Sequence, residues 1–267
     1  MISTSELRRI FNLVWTLAVT DFRLRFYGST LGVLWTLVRP FAFFGVIYFV
    51  FTEIAGLDAN VENYGVYILF AMVLFNFFAE VTVTSVQCLV ERESLLRKMA
   101  FEPIVIPLSV TATGLMNLMT TLGAALIFAL ANGVYPTLMW LQLIPIVLLL
   151  AIFATGIGML LSSLYVRYRD VFPIWEVMSQ ILFYASAVLY VVDPTVPDKY
   201  QQALLYNPIA SLTTQMRHAV IDSDAPTTVS LIGGYAELLI PLGIIAGAFV
   251  AGAFVFRRAS PRIAENL

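Results

Sequence analysis

Six apolar runs, each close to the length a helix needs to cross a bilayer, divide the chain into spans and connections. They fall at about residues 31–52, 65–89, 104–131, 140–164, 173–192 and 232–256, and a hydrocarbon core about 30 Å thick takes roughly 20 helical residues. Ahead of them, residues 4–20 carry a different pattern. Leu7, Ile10, Phe11, Val14, Trp15 and Ala18 recur every three or four positions, with Glu6, Arg8, Arg9 and Asn12 opposite. That spacing predicts an amphipathic helix lying in the membrane interface. Residues 21–27 then alternate charge with large apolar groups, and Gly28, Ser29 and Thr30 break the pattern. Such a segment suits guanidiniums among headgroups and rings at the acyl boundary. Arg23 and Arg25 are therefore placed at an elbow where a surface helix becomes the first span. Arg39-Pro40 sets a charge and a helix breaker inside that span. At membrane depth Arg39 must face protein, water or headgroups rather than lipid.

Composition fixes the class. Hydrophobic residues make up 60% and charged residues 12% of the 267, where soluble domains carry about 25% charged residues. An ordinary aqueous surface cannot be built from this chain, and residues 1–267 read as one integral membrane domain. With both termini on the cytoplasmic side, twelve of the fifteen Lys and Arg fall in inside segments. The positive-inside rule thus selects six spans, N-in and C-in. Gly243, Gly247 and Ala251, four residues apart in the last run, offer a small-xxx-small surface that permits close helix contact. One cysteine (Cys88) and one histidine (His218) exclude an internal disulfide and a Cys/His metal site. The first 20 residues lack the apolar core of a signal peptide, and none is expected. The fold class is therefore an all-α polytopic membrane protein.

Two connections are more than turns. Residues 91–103, ERESLLRKMAFEP, mix dense charge with Leu95, Leu96, Met99 and Phe101. A short amphipathic helix that docks something at the cytoplasmic face fits this mixture, and a solvated loop is the plainer reading. Residues 193–231 form a connection too long to lack structure. Asn207-Pro208 supplies a helix cap with proline at the first position, after which Ile209, Leu212, Met216 and Val220 share a face. A re-entrant helical pair between spans five and six fits best, with a surface cap as the alternative.

Motif chemistry is sparse. HExxH, Gly-x-Ser-x-Gly and a phosphate-binding P-loop are all missing, so the chain has no recognisable means of hydrolysing ATP. Glu80, Glu176 and Glu237 lie near or within spans, and membrane carboxylates are functional candidates by default. Glu80 is the deepest, yet it has no lysine or histidine beside it in sequence. Aromatic residues sit mid-span, among them Phe41, Phe43, Phe44, Tyr48 and Phe49 in the first run and Phe183, Tyr184 and Tyr190 in the fifth. Such rings suit sugar C–H faces, and equally suit helix packing.

The chain resembles the permease subunits of ABC transporters that export polysaccharides such as O-antigen, capsule, teichoic acid and galactan. The resemblance is carried by RLRFYGSTLGVLW at 23–35 with Arg39-Pro40 after it, LLRKMAFEPIVIPLS at 95–109, YVRYRDV at 165–171, FYASAVLY at 183–190 and LLYNPIASLTTQMRHAV at 204–220. Members often have Ser-Pro where this chain has Ser186-Ala187. The resemblance implies a homodimer bearing two ATP-binding cassette subunits, which would hold the ATP and Mg while this chain holds no cofactor. It implies a lipid-linked glycan as cargo, a bacterial inner-membrane location and no nucleic-acid partner. It assigns coupling to the ATPase to Arg97, Lys98, Phe101 and Glu102. A channel between protomers would be lined by Phe41, Phe44, Tyr48, Phe183, Tyr184 and Tyr190, with Asn207, Pro208 and Arg217 in an outer gate. The alternative class is a polytopic enzyme acting on polyprenyl-linked sugars. An ion-coupled carrier would need buried charge pairs and two similar halves.

Overall fold

The computed structural model describes residues 4–25, 27, 32, 34–54, 56, 62–98, 102–192 and 196–266, with side chains left out at 4, 5, 7, 53, 97, 98, 198 and 261–266. Among these residues the regular structure is entirely helical. Helix α1 (Thr4–Arg25) runs five residues past its amphipathic core, because Asp21 and Arg25 find partners on the bundle. Helix α2 (Leu34–Phe49) carries Pro40 inside it and ends in a π turn, Val50–Ile54. The long α3 (Tyr64–Glu91) is followed directly by the short α4 (Glu93–Lys98) and then α5 (Val105–Ala131). A 3-10 turn leads into α6 (Leu143–Tyr165), and α7 (Val171–Ala185) follows. Three short helices come next, α8 (Asp198–Leu205), α9 (Pro208–Met216) and α10 (Thr228–Ile232), before α11 (Tyr235–Asn266).

Among the described residues five helical stretches are long and apolar enough to cross a membrane: Leu34–Thr52, Tyr64–Glu91, Val105–Ala131, Leu138–Tyr165 and Tyr235–Ser260. All five lie where the apolar runs place them. The fifth run behaves differently. Its helix, α7, has only 15 residues, about 22 Å at 1.5 Å per residue, and stops at Ala185 rather than continuing to 192. Ala187 takes a left-handed φ of 51°, and residues 187–189 continue as buried non-helical chain.

Bare backbone at this depth survives only if its polar groups are satisfied by protein. Here the partners come from two helices. The Tyr64 hydroxyl donates to the Leu189 carbonyl at 2.6 Å, and the Tyr67 hydroxyl to the carbonyls of Ala187 and, at 3.0 Å, Tyr190. Asn207 Nδ2 donates to Ser186 Oγ at 2.9 Å and to the Ala185 carbonyl at 3.2 Å. The span breaks because these side chains offer its carbonyls a better set of donors than a further helical turn.

Helix α3 is the axis of the bundle. It packs on α5 and α6, while α11 lies along the other side of α6 and α1 along α5. Phe70, Phe78, Leu74 and Met72 are fully enclosed. The α6–α11 contact is backbone to backbone. A Cβ on Gly252 would come within 2.0 Å of the Gly156 carbonyl oxygen, and one on Gly156 within 2.5 Å of Phe249 Cα. The spaced pair Gly243 and Gly247, by contrast, has open space around it. The small-residue surface read from four-residue spacing thus points away from this contact, one position off the register in use. Residues 208–214 of α9 are all buried, and the helix packs against α3, α6 and α11. The connection between α7 and α11 therefore folds back into the bundle instead of lying on it.

Candidate functional site

The elbow is tied to the bundle by charge. Asp21 of α1 pairs with Arg92, the residue between α3 and α4. One turn further on, Arg25 pairs with Glu80 of α3. Asn117 Nδ2 of α5 also donates to Glu80 Oε1 at 2.5 Å. Upstream, Ala18 is fully buried against α5, and Thr113 Oγ1 donates to its carbonyl at 3.4 Å. Glu80 stands eleven residues before Glu91, about 16 Å up the helix. A carboxylate that far inside a membrane helix needs a partner. Sequence proximity could not supply it, because Arg25 is 55 residues away.

Arg25, Glu80 and Asn117 face one cavity of about 930 Å³ between the end of α1, α2, α3 and α5. Arg25, Arg39, Glu80, Asn76 and Asn117 bring polar groups to its wall, and Trp35, Phe43, Val73, Phe77 and Leu118 bring apolar ones. Arg39 lines this cavity and is exposed; among the described residues it has no ion-pair partner.

At the other end of the Asp21–Arg92 pair, Leu96 of α4 packs on a cluster formed by Cys88, Leu89, Ile106, Val110, Met159 and Phe256. One short helix thereby touches α3 and α11 and packs on a cluster to which α5 and α6 also contribute. Arg97 and Lys98 are its last two residues, and Glu102 is exposed just before α5. Phe101 lies outside the described residues.

Helix α7 is, with α2, among the least enclosed of the apolar helices, with Ser179 its one buried residue. Glu176, Gln180 and Tyr184 are exposed and follow one another at four-residue steps, so they form a single polar stripe along the helix. Tyr184 is 67% exposed, whereas Phe183 turns inward, edge-on to Phe75 at 5.1 Å. Tyr190 is half-buried beneath the Tyr67 hydroxyl. On α2, Phe44 is buried and stacks on Tyr48 at 5.6 Å, with Phe128 edge-on at 5.5 Å. Phe41 is half-buried against the core, Tyr48 keeps an open face, and Arg23 is exposed on α1.

At the far end of α3, Asn207 caps α9 by accepting from the Ile209 N–H at 3.0 Å, and Pro208 takes the first helical position. The same amide holds the end of α7, so one side chain joins the two helices. Arg217 is 9% exposed in the π turn Arg217–Ile221, 4.0 Å from Asp222. The Tyr206 hydroxyl donates to Glu237 at 3.1 Å, and that hydrogen bond raises its pKa above the ordinary phenol value.

Residues 12–221 match the membrane domain of ABC-2 type transporters. The chain belongs to that family. It is 26% identical over 97% of its length to the O-antigen export system permease protein RfbA of Klebsiella pneumoniae, covering 96% of that protein. The O-antigen export system permease protein RfbA of Myxococcus xanthus is 27% identical, over 91% of this chain and 94% of its own. The polysialic acid transport protein KpsM of Escherichia coli is 23% identical over 80% and 83%. Family membership and the five long apolar helices make this a multi-pass protein of the bacterial inner membrane.

Proposed function

We propose that this chain is the membrane subunit of an ATP-driven exporter that passes a lipid-linked polysaccharide from the cytoplasm to the outside. The observation that carries the proposal is likeness along nearly the whole chain to permeases named for O-antigen and polysialic acid. Two copies would work together with two ATP-binding cassette subunits, which hold the ATP and Mg.

Two sets of contacts support this reading, one for the path of force and one for the path of cargo. Helices α1 and α4 are the two surfaces an ATPase would grip, α4 through Arg97 and Lys98, with Phe101 and Glu102 following it in the chain. The Asp21–Arg92 pair would make them move together, and Arg25–Glu80 would carry that motion to the centre of α3. The exposed polar stripe of α7 has no place against lipid tails. Facing the same stripe on a second copy, it would line an aqueous channel. Tyr48 and Tyr184, with their open faces, would stack on sugar rings there. Asn207, Pro208 and Arg217 would form the gate where that route leaves α7, opened or closed by a shift of α9.

Affinity purification from the native membrane through a C-terminal tag tests this reading. A stoichiometric soluble ATPase is expected with the full chain and is expected to be lost when residues 91–102 are deleted. Recovery of the chain alone, with catalytic activity on polyprenyl-linked sugars, would overturn it.

A further inference from the structure

Residues 186–192, SAVLYVV, contain neither glycine nor proline, and nothing in them forbids helix. Alanine, the best helix former, nevertheless holds a left-handed φ of 51° at 187. Side chains keep it there. The Ala185 carbonyl accepts from Asn207, that of Ser186 from Thr213 at 3.5 Å, that of Ala187 from Tyr67, and that of Leu189 from Tyr64. In a continued helix the first three of these oxygens would accept from the N–H groups of Leu189, Tyr190 and Val191. The left-handed turn at Ala187 excludes that second set while the first set holds. Packing repeats the division. Val188 and Leu189 belong to the main core, whereas Ala187 and Val192 pack with Leu205, Ala210, Leu231 and Ile232 of α8, α9 and α10. The broken segment therefore stitches the outer helices to the bundle. Its side chains are apolar, and lipid would cover most of them as readily as protein does.

We infer that α7 has a second state in which residues 186–192 rewind onto it, and that Tyr64, Tyr67 and Asn207 are the latch that holds the broken state. Rewound, α7 would reach from 171 to 192, about 33 Å at 1.5 Å per residue, and match a hydrocarbon core of about 30 Å. Rewinding has a mechanical consequence. Asn207 would lose its hold on the end of α7, and α8, α9 and α10 would come free of the segment that joins them to α3. It also has a condition. Tyr64 and Tyr67 are 4% and 1% exposed, and buried hydroxyls stripped of acceptors are strongly unfavourable in a dry site. Water must reach them before the helix closes. The break is thus stable while the outer end is dry, and rewinding follows its wetting. The exporter reading supplies only the purpose of this motion; the two states belong to the chain by itself.

The test is the rate of N-ethylmaleimide labelling of single cysteines in the full chain, in nanodiscs, without ATPase and with Cys88→Ala. On a continued α7, residues 187 and 191 extend the stripe of Glu176, Gln180 and Tyr184, and residue 189 lies opposite it. In the broken state Ala187 and Leu189 are both buried. Rates are read against Tyr184→Cys, on the exposed stripe, and Leu150→Cys, fully buried in α6. Tyr64→Phe with Tyr67→Phe should raise labelling at Ala187→Cys and Val191→Cys about tenfold, the effect of two lost hydrogen bonds, and leave Leu189→Cys slow. Ala187→Gly, which favours the left-handed turn and should fold at least as well, should slow labelling at Val191→Cys several-fold. Rates indifferent to both changes would overturn the inference. So would a rise shared equally by Leu189→Cys or Leu150→Cys, which means a loosened chain and no new helix. None of these rates depends on ATPase co-purification, so the exporter reading stands or falls separately.

Discussion

Helices α3 and α7 are both apolar, yet one is enclosed along nearly its whole length and the other buries only Ser179. The difference divides the molecule into a packed part and an open part. Helices α3, α5, α6 and α11 bury side chains against each other and approach at glycines; α2 and α7 keep broad free faces. In water an open apolar face would signal an interface outright. In a membrane, lipid covers such a face at no cost, so only polar residues on it are informative. On α7 those residues are Glu176, Gln180 and Tyr184, in one line. The packed part reads as scaffold, and the open part as the working surface.

The largest effect that separates the two parts should come from the α6–α11 contact. Gly252→Leu drives a side chain into the Gly156 carbonyl and should cost at least about 3 kcal/mol, the upper range for overpacking. Gly243→Leu, in open space, should leave the melting temperature of the detergent-purified chain unchanged. Next is Phe78→Ala, at the fully buried centre of α3, with an expected cost of about 3–5 kcal/mol. The matching change on α7, Ile181→Ala, should cost less than about 1 kcal/mol. Equal losses in that pair would erase the distinction between scaffold and working surface.

Much of this division was legible in the amino-acid pattern, and some was not. Run length located the helices, because spanning a hydrocarbon layer fixes how many apolar residues are needed. The break of α7 at Ala185 left no such trace. The run stays apolar through Val192, and what ends the helix is a set of donors from Tyr64, Tyr67 and Asn207, distant in sequence. Glu80 was visible as a deep carboxylate, but its partner Arg25 looked like a headgroup anchor. Sequence spacing offered a small-residue surface at Gly243, Gly247 and Ala251, and the contact with α6 is made at Gly252 instead. Spacing finds a possible surface and says nothing of which helix faces it. The Asn207-Pro208 cap was local, and it forms as its residues dictate.

Two smaller effects sharpen the account at the junctions. Glu80→Leu alone should destabilise the chain by about 1–2 kcal/mol, because Arg25 and Asn117 lose their acceptor, at a half-exposed site where a lost charge pair costs less than in a core. The double change with Arg25→Leu should recover most of that loss in a thermal melt. Ala187→Gly should be neutral or stabilise by about 0.5–1 kcal/mol, since glycine tolerates the left-handed φ that alanine holds under strain. Ala187→Val should be worse than either.

The central claim is that the polar stripe of α7 faces water between two copies of the chain. Cysteines placed one at a time from 174 to 185, in a Cys88→Ala background, test it in native membranes with a small charged thiol reagent. Labelling should peak at 176, 180 and 184, fall at 179 and 183, and be accompanied by disulfide-linked dimers at the peaks. Uniformly low labelling along the helix, with no dimer at any position, would mean that α7 faces lipid and would contradict the account.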